Sequence, residues 1–266
     1  MESLYGLHAV EEALRSGSRR FDYVCLARER HQQGHDQRLA RIVDLCRAAG
    51  VKTRIEPREA LTRMARTSAH QGVVAVVRER EFLGLEDLLA GPEPRLVLAL
   101  DGVEDPQNLG ALLRTAEAAG VDGVLLTERR SAPLSAVAIK ASAGAAEHLR
   151  LVRIVNMVRS LEILKERNLW CVGLDERGTQ DYDDFDFSSN TVIVLGREGA
   201  GLHDLVRRTC DHLLRIPMAG KVASLNVSAA GAVVLFEAAR QRRLGTRDVS
   251  AVASRPPSRT KKGLGS

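Results

Sequence analysis

The sequence is poor in aromatics. Five Phe, three Tyr and one Trp make up 3% of its 266 residues. Nucleic-acid binding that rests mainly on aromatic stacking platforms is therefore excluded. It also lacks any CxxC pair. Cys25, Cys46, Cys171 and Cys210 stand far apart, which implies neither a zinc site nor a disulfide framework. They read as reduced, buried thiols. No apolar run approaches the ~20 residues of a membrane span. The first residues, MESLYGLHAVEEALRSG, carry no apolar signal core. The expectation is a cytoplasmic protein with no membrane and no metal among its partners. His31 and His35 are four apart, but Gly34 breaks the local helix between them, and His70 and His148 read as structural or surface residues.

Neither charge sign dominates. Lys and Arg number 39 against 34 Asp and Glu, a formal net charge of +5. That leans weakly toward a polyanionic partner. Hydrophobic residues are 44%, so the core is substantial, aliphatic and rich in alanine.

Short helices and strands alternate from the start. HAVEEALRSG predicts a helix closed by Gly17, FDYVCLA a strand, and HDQRLARIVDLCRAAG a helix ending at Gly50. VKTRIE, PREALTRMAR and HQGVVAVVRE follow as strand, helix and strand. This gives a small α/β unit over 1–77. Gly and Pro punctuation marks a linker over 78–94. A second domain over 95–244 opens on LVLALDGV and continues with the strands GVLLTE, LWCVGLDE, TVIVLG and HLLRIPM. Several are continuous apolar runs, as expected of strands buried on both faces. Helical segments between them imply a mostly parallel sheet covered on both sides. A long helix is expected from about Val222, and a disordered basic tail over 245–266.

Ligands of such sheets sit at the carboxyl ends of the strands, and three of these ends are unusual. After strand 96–103 comes EDPQNLGALLR. Asn108 is either a helix cap or a site residue. Arg114 lies one turn past Gly110, so its guanidinium can pass over the bare glycine toward Asn108; the alternative is a solvated helix face. After TVIVLG comes REGAGL. Its GxxGxG spacing departs from the dinucleotide fingerprint, and its glycines suit close approach of a ligand to the backbone. Glu198 in that loop is either a helix-dipole partner or a site residue. The third end, IPMAGKVASLNVS, lacks the glycine and the Ser or Thr of a phosphate loop. Ser224, Asn226 and Ser228 crowd the entrance of the last helix. One cap explains one of them, not all three.

Together these loops resemble the three motifs of the SpoU class of SPOUT RNA methyltransferases. The matching pieces are Asn108-Leu109-Gly110 with Arg114-Thr115-Ala116, then Leu195 to Leu202, then Ile216-Pro217-Met218 with Ser224 to Ser228. The N-terminal pieces Tyr5 to Val10 and His70-Gln71-Gly72-Val73 are similar to the substrate-binding domain of bacterial 23S rRNA guanosine-2′-O-methyltransferases. The resemblance implies an α/β protein in two parts: a small L30e-like domain that grips RNA, and a parallel-sheet domain whose C-terminal segment threads a deep trefoil knot, an exception to the usual rule. It implies S-adenosylmethionine held at Gly196, Ile216, Met218 and Leu225, a homodimer, and 23S rRNA as partner. Arg114, Asn108, Glu198, Ser224 and Asn226 are its implied catalytic residues, with Arg114 acting on the ribose hydroxyl and Glu198 orienting Arg114 or neighbouring donors. The same chemistry on tRNA, and a non-catalytic RNA-binding protein, are the competing expectations.

Overall fold

The computed structural model describes residues 1–29, 37–90, 93, 95–129, 131–222 and 224–253, with side chains described as far as 244. The first unit contains β1 (Glu2–Tyr5), α1 (Leu7–Ser16), β2 (Phe21–Ala27), α2 (Gln37–Ala48), β3 (Lys52–Glu56), α3 (Arg58–Ala65) and β4 (Val73–Val77). Its sheet has the order β1-β4-β2-β3, with only the β2–β3 pair parallel. Helix α1 buries Leu7, Val10, Ala13 and Leu14, a stripe at helical spacing, and ends where Gly17 turns left-handed at φ 64°. His31 and His35, read from the sequence as no metal site, lie outside the described residues.

A short helix, α4 (Leu85–Leu89), leads into the second unit. There follow β5 (Leu96–Leu100), α5 (Pro106–Ala118), β6 (Gly123–Thr127), α6 (Ala136–Ala141), β7 (Leu151–Ile154), α7 (Met157–Glu166), β8 (Trp170–Leu174), β9 (Gln180–Asp181), β10 (Thr191–Leu195), α8 (Asp204–Thr209), β11 (His212–Arg215) and α9 (Val227–Ala253). The sheet order is β7-β6-β5-β10-β8-β11-β9, and every pair is parallel. Strands β5 and β10 are buried throughout. Their alternating side chains feed two cores. Leu96, Leu98, Leu100, Ile193 and Leu195 face one, and Val97, Ala99, Val192 and Val194 face the other. Burying each such side chain contributes roughly 1.5–3 kcal/mol. This is why both strands read as unbroken apolar runs. The strand order reverses beside β5 and β10, so the crevice beyond their carboxyl ends is where a ligand is expected.

Several elements differ from expectation. Strands β1, β7 and β9 were not anticipated, being two to four residues long. Strand β5 stops at Leu100 rather than at 103. The last helix starts at Val227, not Val222, because Asn226 caps it. The Asn226 Oδ1 accepts the Ser228 N–H at 2.9 Å, and its main-chain carbonyl accepts the Ala230 N–H at 2.9 Å. Helix α9 runs on to Ala253, past the start expected for a disordered tail; residues 254–266 lie outside the description.

Candidate active site

Beyond the ends of β5 and β10 three loops meet. In the first, Asp105 rather than Asn108 caps α5, accepting the N–H groups of Gln107 at 3.1 Å and Asn108 at 3.3 Å. That frees the Asn108 side chain, which is buried. Its Nδ2 donates to Glu198 Oε1 at 2.5 Å. Asn226 Nδ2 donates to the same Oε1 at 2.6 Å and to Asn108 Oδ1 at 3.1 Å. One carboxylate oxygen thus ties all three loops. The two readings of Asn226 are both satisfied: its Oδ1 caps α9 while its Nδ2 faces Glu198. The Ser228 hydroxyl donates to that Oδ1 at 2.6 Å and completes the cap. Of the two donors expected for Glu198, Arg114 or its neighbours, the structure shows the neighbours, the Asn108 and Asn226 amides.

The second loop is a tight hairpin. Arg197 and Gly201 exchange N–H···O bonds at 3.0 and 2.9 Å. Gly199 and Gly201 take left-handed conformations, φ 69° and 66°. Gly196 has a different task. A Cβ there would lie 2.2 Å from the Gly201 carbonyl carbon. The close approach at this glycine is by the hairpin itself. The hairpin is anchored by Asp101, which accepts the His203 N–H at 2.9 Å, with the His203 ring Nδ1 2.9 Å from the other carboxylate oxygen.

Around these loops lies a cavity, part of it open to solvent. Gly196, Ile216, Met218 and Leu225 all line it, and so do Glu198 and Ser224. Its walls fit S-adenosylmethionine: apolar side chains from the third loop, and hairpin backbone that bare glycines leave accessible.

Arg114 is not brought into this cluster. It is exposed and makes no hydrogen bond with another described residue. The face of Gly110 over which it was expected to pass is filled by α6: a Cβ at Gly110 would lie 2.4 Å from Ala141 Cβ and 2.6 Å from the Ala138 carbonyl oxygen. Of the charged cavity residues, Asp175, Glu176, Arg177, Arg197 and Arg215 were not singled out as site residues from the sequence, although Arg197 lies within the second motif. Asp175 is buried, and hydrogen bonds from Arg177 hold its carboxyl below the usual range. The Arg197 Nε is buried without a partner among the described residues. Asp175 and Arg177 follow directly on β8, so the strand-end rule could have found them. No group of three or more His, Cys, Asp or Glu among the described residues could hold a metal ion. Nor is any helix among them long and apolar enough to cross a membrane.

Comparison with known proteins gives the family. Residues 95–236 match the model of the SpoU rRNA Methylase family, and residues 3–83 match that of RNA 2'-O ribose methyltransferase substrate binding. The chain is 43% identical over 246 residues to the 23S rRNA (guanosine-2'-O-)-methyltransferase RlmB of Vibrio cholerae, covering 91% of this chain and 97% of that one. The RlmB of Escherichia coli K12 is 40% identical over 244 residues, 91% of this chain and 99% of that protein. Among solved structures, the SpoU methyltransferase AviRb from Streptomyces viridochromogenes, in complex with AdoMet, aligns with a TM-score of 0.77 at 27% identity over 91% of both chains. On its own motifs, its fold and these likenesses, the chain belongs to the SpoU rRNA methylase family.

Proposed function

We propose that the protein transfers a methyl group from S-adenosylmethionine to the ribose 2′-hydroxyl of a guanosine in 23S rRNA. The observation that carries this is the Asn108–Glu198–Asn226 network at the rim of a glycine-hairpin cavity, in a chain matched almost end to end by 23S rRNA guanosine methyltransferases. The cofactor brings a methyl group already bonded to a sulfonium leaving group, so the protein's part is binding and orientation. Gly196 and its hairpin, with Ile216, Met218 and Leu225, enclose the cofactor. Asn108, Glu198, Ser224 and Asn226 fix the loops that frame the ribose.

A ribose hydroxyl must lose its proton as the new O–C bond forms. The three-loop network holds no histidine to act as general base. Arg114, exposed and without a partner among the described residues, orients the hydroxyl and stabilises the developing alkoxide, and the proton leaves to phosphate or water. A guanidinium stays charged in proteins, which favours this role over general base.

The reading extends to the whole molecule. The N-terminal four-stranded unit is an L30e-like RNA grip, and the C-terminal segment threads the trefoil knot. The enzyme works in the cytoplasm as a homodimer. Supporting the last point, Met218 and Leu225 in the cavity lining, Val222 in the same loop and Phe236 on α9 are exposed apolar side chains, a pattern that marks association surfaces.

The test is incubation with tritiated S-adenosylmethionine and unmodified 23S rRNA transcript, with tRNA in parallel. Labelled positions are mapped by alkaline hydrolysis, which 2′-O-methylation blocks. One protected guanosine in the rRNA is the expected result. Label in tRNA alone would overturn the rRNA assignment.

A further inference from the structure

A second cleft lies between the two sheets. Its walls come from β1, from residues 79–82, from the end of β6 and the loop 131–136, and from Arg153 on β7. A hydrogen bond ties it to the first of the three loops. The Ala132 N–H in its wall donates to the Val103 carbonyl at 2.8 Å, and Val103 belongs to the loop that leads to Asn108.

The cleft is preformed. Arg19 and Arg80, both in its lining, meet at the buried Glu147 carboxylate, at 3.1 and 3.5 Å. Arg19 comes from the first unit, Arg80 from the connection and Glu147 from the second unit. Residue Leu83 in the same connection donates its N–H to Leu151 of β7 at 2.9 Å. These bonds set the width of the opening.

Of its three arginines, Arg153 is stacked on an aromatic ring. The guanidinium carbon lies 3.8 Å from the centroid of the Phe82 ring. The ring supports one face of the guanidinium, while the exposed arginine makes no ion pair or hydrogen bond with another described residue. Charge in the cleft does not suit a phosphate backbone. Glu2, Glu79 and Glu128 line it beside Arg19, Arg80 and Arg153, so the formal charges cancel. Carboxylates repel phosphate but accept hydrogen bonds from the amino and imino groups of bases. A planar, supported guanidinium amid such acceptors is a stacking surface for a nucleobase.

We propose that this cleft is a nucleobase subsite, taking an unpaired base of the substrate RNA close to the methylated nucleotide and stacking it on Arg153. The proposal rests on the rRNA methyltransferase reading. It commits a single arginine–phenylalanine pair to stacking, which agrees with a chain so short of aromatics.

The experiment is filter binding of 23S rRNA transcript to the full-length protein and to Arg153→Ala, Arg153→Lys and Phe82→Leu, with S-adenosylmethionine affinity measured on each as the check of folding. Arg153→Ala is expected to weaken RNA binding about 5- to 100-fold, the range for loss of one stacked base, with cofactor affinity unchanged. Arg153→Lys should rescue little, because an ammonium keeps the charge and lacks the plane. Phe82→Leu should give an intermediate loss. Photo-cross-linking of 5-iodouridine-substituted transcript should place adducts within 79–82 or 128–136. RNA affinity unchanged in Arg153→Ala, or fully restored by lysine, would overturn the subsite. Methylation of rRNA by the unsubstituted enzyme is scored separately, so a failure of the cleft and a failure of the proposed activity give different results.

Discussion

Glu198 and Asn108 are 90 residues apart in the chain, yet Asn108 Nδ2 donates to Glu198 Oε1 at 2.5 Å. The same oxygen receives Asn226 at 2.6 Å. Hydrogen bonds to a charged acceptor contribute ~1.5–3 kcal/mol each when shielded, less here because Glu198 is exposed. Their value is positional: without the carboxylate, the three loops lose their common point. Glu198→Ala is expected to lower kcat on the order of tenfold, with a smaller change in cofactor affinity. Single-turnover rates beside calorimetric titration separate the two. A kcat equal to that of the unsubstituted enzyme would remove the network from the mechanism.

Two glycines of the hairpin should respond differently to alanine. At Gly196 an added Cβ meets backbone at 2.2–2.4 Å, and backbone cannot rotate away. At Gly199 nothing lies within 4 Å, and only the left-handed φ of 69° opposes substitution, a cost of roughly 1–2 kcal/mol. Gly196→Ala should therefore cost at least tenfold in S-adenosylmethionine affinity, and Gly199→Ala markedly less. Equal losses would mean that the hairpin does not shape the cofactor wall.

Arg114→Ala should abolish turnover while cofactor binding stays roughly intact, since the residue does not line the cavity. Arg114→Lys retains the charge but not the planar fork and should recover only part of the rate. A near-normal rate in Arg114→Ala would shift attention to Arg197, the arginine that lines the cavity beside Glu198.

Much of this was legible in the sequence where a single element carries the signal. The runs LVLAL and TVIVL announce strands buried on both faces, and they are. Other features were hidden because the fold, not the local pattern, makes them. Asp101 and His203 are 102 residues apart and meet only because β5 and β10 are neighbours. The spacing of Gly110 and Arg114 was read correctly as one helical turn, but the space above Gly110 belongs to α6, which sequence distance does not reveal. Val222 and Leu225, three apart, imitate a helix face. Both are exposed, and the cap at Asn226 decides where the helix begins.

The Glu147 cluster makes a prediction about stability. Its side chain is fully buried and receives Ser18 Oγ at 2.6 Å and the Arg19 guanidinium at 3.1 Å, with Arg80 alongside at 3.5 Å. Burial already pulls the Arg80 pKa down. Glu147→Gln removes the counter-charge of Arg80 and leaves Arg19 with Glu2 alone, at 2.9 Å, and should cost ~3–5 kcal/mol. Replacing the whole set, as Arg19→Met, Arg80→Met and Glu147→Leu together, should recover most of that loss. Urea unfolding of both variants decides it. A triple variant less stable than Glu147→Gln would show that the charges stabilise the fold outright.

Stability should also fall at alkaline pH, because of the thiols. Burial pushes Cys171 and Cys210 up to about 12 and Cys46 up to about 11. In an unfolded chain a thiol titrates near ~8.5. The native state therefore holds protons that the unfolded state releases, and stability declines with pH wherever that is so. The contribution is complete below ~8.5 and is lost as pH rises through the folded values of about 11 to 12. Lys165 acts in the same direction at higher pH, since its hydrogen bond to Asp211 raises its pKa. The melting temperature should stay level from pH 7 to 8 and drop steadily above about 9. Cys171→Ala should flatten part of that drop. At pH 8, Ellman's reagent should label the three thiols slowly in the folded protein and at once in urea. A melting temperature constant up to pH 10.5, or rapid labelling of all three in the native state, would contradict their burial as neutral thiols.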